Sequence, residues 1–254
     1  PGANANLAAE HVSRQPADGY TVLFTSVSHA MNKVVYRNLG YDFERDFVPL
    51  AIVSEVPNLL AVHPSLPVRT VPEMIALARK RPGQITYGVA GIGSPGHFAG
   101  EMVEMMAKLD LLVVPYKGGG PMAIDLVGGH VVATFNALPA LMPHVRSAKI
   151  RAIAVSTEKR VKALPQVPTV GETLPGYAVS TWYGNAVRAG TPDEIVAALS
   201  EATLKALGMT DVQEVLGKVG AESVGMGSRQ ATRFIHAEIA KYAKVAKAAD
   251  IRVE

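Results

Sequence analysis

Three times between residues 85 and 147 a short run of β-branched and aromatic residues gives way to glycine or a small polar group, and a helix-forming segment follows. The strand-like runs are 85–89, 111–115 and 131–135, with another at 151–155; the helical segments are 98–108, 121–127 and a short one after Pro139. Strands that alternate with helices need crossover connections, which build a mostly parallel sheet with helices on both faces. The expected fold class is therefore α/β.

The most informative part of this pattern is residues 85–100, ITYGVAGIGSPGHFAG. Ile85, Tyr87 and Val89 suit a packed strand. Gly91, Gly93, Ser94 and Gly96 then strip the chain of bulk, so that backbone N–H groups can approach a small ligand. A helix opening near residues 95–97 points its unpaired N–H groups and its positive dipole end to the same spot, which favours an anion. This reads as half of a carboxylate-binding cleft. Residues 116–121, YKGGGP, repeat the device one strand later.

The flanking chain is less regular. Asn4 or Asn6 is placed to cap a helix over 7–13, and the strand 20–25 ends in Ser26, Ser28 and His29. Two apolar runs flank Pro57-Asn58 within 50–62. Thr70 with Glu73 spells a capping box, repeated at Thr191–Glu194 with Pro192 as first helical residue, and at Thr210–Gln213. Residues 163–175 read as an irregular connection and 178–187 as a strand. The last helix, 229–249, is expected to turn Ile235, Ile239, Tyr242 and Ala246 inward. Two lobes result, 1–62 with 180–254 and 63–179, joined by a hinge near 62–64 and 178–181.

Each candidate site residue has a plainer alternative. Residues 91–96 spell GxGxxG, but the following strand ends in Tyr116-Lys117-Gly118 with no acid to hold a ribose, so the dinucleotide reading fails. Ser94 with His97 does not make a nucleophile elbow, because Ile92 stands where glycine is required and no acid is evident to orient His97. Ser94 is either a hydroxyl donor to an anion or a helix cap. Gly118, Gly119 and Gly120 form either a tight turn or an anion-cradling nest. Asn136 is either a polar ligand group beside Ala137 or the cap of the next helix. Trp182 is either buried core or an apolar cleft wall. His11, His63, His130, His144 and His236 lack metal-ligand spacing. The 254 residues carry a formal charge of +3 with Lys and Arg scattered, and no basic–aromatic interleaving marks a nucleic-acid groove. Cysteine is absent, which excludes disulfides and thiolate chemistry. No apolar run approaches the roughly 18 residues that span a bilayer.

Longer phrases carry a resemblance. Residues 18–26 (DGYTVLFTS), 57–65 (PNLLAVHPS), 87–97 (YGVAGIGSPGH) and 114–122 (VPYKGGGPM) are similar to the Bug (TctC-type) solute receptors. So are 164–172 (LPQVPTVGE), 182–192 (WYGNAVRAGTP) and 237–245 (AEIAKYAKV). The resemblance runs in order through essentially the whole chain. It implies a two-lobed periplasmic binding protein of type II fold, exported to the periplasm of a Gram-negative bacterium. Such a receptor, a monomer, holds a small carboxylate between its lobes without metal or cofactor and hands it to the membrane permease subunits of a tripartite tricarboxylate transporter. It neither inserts in the membrane nor binds nucleic acid. Carried over by motif, Ser26, Ser28 and His29 supply one side of the site. Ala90, Gly91, Gly93, Ser94, Gly118, Gly119, Asn136 and Ala137 supply the other, with Trp182 beside them. Asn136 stands where relatives often have Asp, which favours a plain carboxylate over an amino acid. The family's first strand, loop and helix are expected to be missing before Pro1. Two rival readings are a doubly wound enzyme using Ser94 or His97, and a periplasmic sensor partner of a kinase.

Overall fold

The computed structural model describes residues 5–218 and 220–252. In chain order the elements begin with α1 (Asn6–Ser13), β1 (Val22–Ser26), α2 (Val27–Val35), β2 (Phe47–Val62), α3 (Val71–Lys80) and β3 (Thr86–Val89). There follow α4 (Pro95–Ala107), β4 (Leu112–Pro115), α5 (Gly119–Gly128), β5 (Ala133–Ala137), α6 (Leu138–Arg146) and β6 (Arg151–Val155). The chain ends with β7 (Ser180–Arg188), α7 (Asp193–Leu207), α8 (Thr210–Lys218), β8 (Glu222–Gly227) and α9 (Ser228–Ala248). It divides into two compact units: unit 1 takes the two ends, up to Glu55 and from Trp182, and unit 2 is Val56–Thr181. Among the described residues no helix is long and apolar enough to cross a membrane.

In unit 1 the first half of β2 runs between β7 and β8, with β1 outside β7. β8 and β2 are antiparallel, as are β1 and β7, in register from Val22↔Val187 to Ser26↔Tyr183. α9 buries Ile235, Ile239, Tyr242 and Ala246, the face its spacing predicts. Glu238 is buried on the same helix and accepts from Trp182 Nε1 (3.1 Å) and Tyr242 Oη (2.9 Å), with Lys241 Nζ beside it. A buried carboxylate needs such donors to offset its lost hydration.

Local start signals are met unevenly. Thr70 caps α3 as its sequence predicts, accepting from Glu73 N at 3.3 Å, while the Glu73 carboxylate reaches back to Arg69 N. At α7 the cap residue is Pro192, and the Thr191 hydroxyl instead donates to Arg188 O. A proline at that position has no N–H for a reciprocal acid to hold, so the box cannot close. α8 starts at Thr210 itself, and the Gln213 side chain donates to Leu207 O. Asn6 lies inside α1, whose cap is Ala5; its Oδ1 accepts from Asn32 Nδ2 and Tyr41 Oη, both at 2.7 Å. The alternative cap, Asn4, lies outside the described residues.

Unit 2 carries the strand order β6-β2-β5-β3-β4. β3 lies parallel to both β4 and β5, whereas the second half of β2 is antiparallel to β5 and β6. The parallel trio is the part built from the repeated strand–glycine–helix device. The 58–62 half of β2 is buried on both faces, and such a run carries no periodic mark of the direction of its neighbours.

β3 shows how helices cover the two faces of this sheet. Adjacent strand residues point to opposite faces. Tyr87 meets α4, its hydroxyl donating to Gly96 O, whereas Gly88 abuts Met122 of α5. The α4 side is filled by Tyr87, Phe98, Phe135 and Tyr177, with Phe135 and Tyr177 stacked at 6.2 Å. A core on Leu59, Leu126, Leu138, Leu141 and Val155 packs α5 and α6.

Candidate functional site

All three parallel strands of unit 2 end at one edge of the sheet, and there the chain changes direction across it. From β3 it goes to β4 on one side; β5 then takes its place on the other. Loops that leave neighbouring strands in opposite directions open a crevice at the strands' carboxyl ends, the usual ligand position in open α/β sheets. The loops here are 90–94, 116–118 and the pair Asn136-Ala137.

Hydrogen bonds tie these loops together. Gly118 N donates to Ala90 O at 2.9 Å, and Asn136 Nδ2 donates to Gly119 O at 3.4 Å. Asn136 Oδ1 accepts from the next amide, Ala137 N, at 2.9 Å. Both amide ends are thus used. α6 is capped by Ala137 without a side-chain bond, so Asn136 is a bridge between loops and not a helix cap. Gly91 (φ 153°), Gly93 (φ 75°) and Gly118 (φ 112°) adopt backbone angles that side chains disfavour.

Two helices begin at this corner. Ser94 caps α4, its Oγ accepting from His97 N at 3.3 Å, which leaves its O–H to donate. Gly118 caps α5 without a side-chain bond, and Gly119 and Gly120 form the first turn. The glycine triplet is therefore a helix start as well as a turn. Gly96 plays another part. A Cβ there would stand 2.2 Å from Phe135 O, and one at Gly100 would stand 2.5 Å from the Tyr87 ring. Both let α4 press against the sheet, so Gly96 belongs to the packing and not to the loop.

The acid that sequence reasoning did not find for His97 is Glu101, one turn along α4. Its Oε1 lies 3.1 Å from His97 Nε2. The other ring nitrogen, Nδ1, accepts from Gly93 N at 3.1 Å. The signal was the i, i+4 spacing of a histidine and a glutamate on a helix. On the rim of the corner the Tyr116 hydroxyl donates to Asp125 Oδ2 at 2.8 Å, and burial together with that carboxylate pushes its pKa up to about 12.

In unit 1 the residues from Ser26 to His29 also form a strand-to-helix corner. Ser26 caps α2 in a box with His29, Ser26 N donating to His29 Nδ1 at 3.2 Å, and Thr25 Oγ1 lies 3.2 Å from the same nitrogen. The His29 ring is buried and stacked on Phe43 at 5.3 Å. Burial outweighs the backbone contacts of Ser26 and Ala5 and lowers its pKa. Ser26 and Ser28 remain partly exposed beside it. Of the two readings of Trp182, the structure shows the buried one: it has no exposed surface, bonds Glu238, and meets the Phe234 ring edge-on at 5.7 Å.

Comparison with known proteins agrees with this architecture. The family described as "Tripartite tricarboxylate transporter family receptor", TctC, matches residues 1–251. Protein BugT of Bordetella pertussis is 31% identical over 249 residues, which cover 97% of this chain and 76% of BugT. An R. palustris protein solved with adipate is 41% identical, with a TM-score of 0.85 over 99% of this chain and 85% of that one. MatC from Rhodopseudomonas palustris, solved with bound malate, is 28% identical, with a TM-score of 0.79 over 96% of this chain and 85% of MatC. The α/β fold is thus shared with carboxylate-bound relatives through nearly all of the chain, and by the match over residues 1–251 this protein belongs to the TctC family of tripartite tricarboxylate transporter receptors.

Proposed function

We propose that this chain is a periplasmic, non-catalytic receptor that binds a small organic carboxylate and delivers it to a tripartite tricarboxylate-type permease. The carboxylate is held by main-chain amides and hydroxyls at the corner made by Ala90–Ser94, Gly118–Gly120 and Asn136-Ala137. The observation that carries the reading is the convergence, at one sheet edge, of two helix starts and three strand ends with no carboxylate side chain in the loops themselves. Unpaired N–H groups and positive dipole ends there favour a negative ligand. The relatives solved with adipate and malate support a dicarboxylate. Asn136 brings no charge to the corner, so nothing in it calls for an ammonium group.

The enzyme reading lacks support in the geometry. The His97 ring nitrogens are engaged by Gly93 and Glu101, and Ser94 Oγ meets the His97 backbone, not its ring. No base is therefore in place to activate that hydroxyl.

The test is a thermal-shift and calorimetric titration with adipate, malate and uncharged diols of the same length. A receptor binds a dicarboxylate and not the diols, and its melting temperature rises with ligand concentration by mass action. Ser94→Ala removes one donor to an anion and is expected to weaken binding about tenfold. Unchanged affinity in Ser94→Ala, or no response to any carboxylate, overturns the reading.

A further inference from the structure

We propose that His97 is a positioning residue for carboxylate binding: held by Glu101 at one ring nitrogen, it holds the Gly93 amide at the other and so sets the curve of the 91–94 loop. The inference rests on reading that loop as part of the carboxylate site.

The bonding within residues 91–101 is closed. Ser94 N donates to Gly91 O at 3.2 Å, Phe98 N to Ser94 O at 3.0 Å, and His97 N to Ser94 Oγ at 3.3 Å. Gly93 is buried, and its N–H is directed onto His97 Nδ1. Because Nδ1 accepts, it carries no hydrogen, and the ring hydrogen sits on Nε2, aimed at Glu101. The imidazole is 6% exposed and the Glu101 side chain 15%. The imidazole is thus largely withdrawn from water, and the carboxylate beside it is mostly covered.

A buried amide without its acceptor loses a hydrogen bond that water cannot replace. Gly93 also has a positive φ and no side chain to fix it, so the loop depends on that acceptor for its shape. Amides that grip an anion must already point at it, and an ordered loop avoids the entropy cost of ordering on binding. His97 touches no ligand in this account; it acts through Gly93. Glu101 acts one step further away, by fixing the ring.

Two near-isosteric variants separate the two ring nitrogens. In His97→Asn the amide oxygen takes the place of Nδ1 and still accepts from Gly93. In His97→Gln the side-chain amide takes the place of Nε2 and bonds Glu101, while Gly93 loses its acceptor. The first measurement needs no ligand: hydrogen exchange at the Gly93 amide and 15N shifts of the His97 ring in the whole labelled chain. Nδ1 is expected unprotonated in the parent protein. Gly93 exchange should accelerate at least about tenfold in His97→Gln and stay within about threefold in His97→Asn. The second measurement is titration with whichever of malate and adipate raises the parent's melting temperature more. Its Kd should rise about tenfold in His97→Gln, and His97→Asn should restore most of the affinity. Circular dichroism verifies that both variants fold.

A protonated Nδ1, or equal Gly93 protection in all three proteins, overturns the positioning role whatever the affinities. Faster Gly93 exchange in His97→Gln with unchanged affinity overturns the proposal too, and places the fault in assigning the 91–94 loop to the carboxylate site. If neither acid raises the parent's melting temperature, the functional reading fails, and the exchange data alone decide whether His97 shapes the loop.

Discussion

Gly96 and Gly120 flank the same corner, yet replacing each with alanine should disturb different properties. The Cβ of Gly96→Ala would meet the Phe135 carbonyl at 2.2 Å, and backbone on backbone cannot yield as a side chain would. A loss of roughly 3 kcal/mol or more is expected, visible as a lower urea midpoint. A Cβ at Gly120 meets nothing within 4 Å, and its φ is not positive. Alanine is a better helix former than glycine by about 1 kcal/mol at most, so Gly120→Ala should melt no lower than the parent. If the amides of this turn grip the ligand, the added methyl nevertheless weakens carboxylate binding; equal affinity would remove Gly120 from the corner. The glycine spacing shows where bulk is missing, and that much was legible. Whether a given glycine leaves room for a ligand, a helix or a turn depends on which atom lies opposite, and only the fold supplies that atom.

At the scale of elements, α4 does more than start at the corner. Its Glu104 accepts from Leu111 N at 2.6 Å and is half-buried; burial, helped by the charges of Glu101 and Asp110, raises its pKa to about 7. Its value in the unfolded chain is the ordinary one near 4.5. Between these values the folded state binds more protons than the unfolded one, so this group makes stability fall as pH rises from about 4.5 to about 7. Glu104→Gln keeps an acceptor for Leu111 and removes the charge. It is expected to raise the melting temperature at pH 8 by roughly 2–4 °C and to change it little at pH 5. A pH-independent difference would show that the charge is not the cause. Most elements were readable, because strand runs and helical spacing repeat, but α2 and β8 were not among those the sequence marked. The starts were less so. Thr70 caps its helix, although Glu73 reaches Arg69 N and not Thr70's own amide. At α7 the cap falls one residue later, on Pro192, and α8 already begins at Thr210, because a capping motif specifies side chains and not which residue's backbone turns helical first. Glu101 escaped notice for a related reason: its spacing from His97 permits a contact, and the rotamers decide it.

Two strands, β2 and β7, run through both compact units, since the divisions fall at Glu55 and Trp182, within their spans. Near those divisions Asn58 Nδ2 donates to Thr181 Oγ1 at 3.2 Å, and Ser156 Oγ accepts from Asn58 N while donating to Val179 O. The sequence reading places the linking strands near 62–64 and 178–181; the unit boundaries fall after Glu55 within β2 and after Thr181 within β7, and a single 16-residue strand replaces the two runs around Pro57-Asn58. Because β2 contributes to the sheets of both units and β7 crosses the second boundary, unfolding is expected to be one cooperative transition in urea, with coincident fluorescence and far-ultraviolet dichroism curves. Separate midpoints would show that the units melt independently.

Fluorescence is informative here because of the indole that donates to Glu238. It is the chain's single tryptophan, set at the first residue of unit 1 after β7 crosses, shielded from water and hydrogen-bonded to a carboxylate. Tryptophan emission therefore comes from one known place, and the protein carries its own optical gauge of that crossing, with no dye to attach and no second indole to separate.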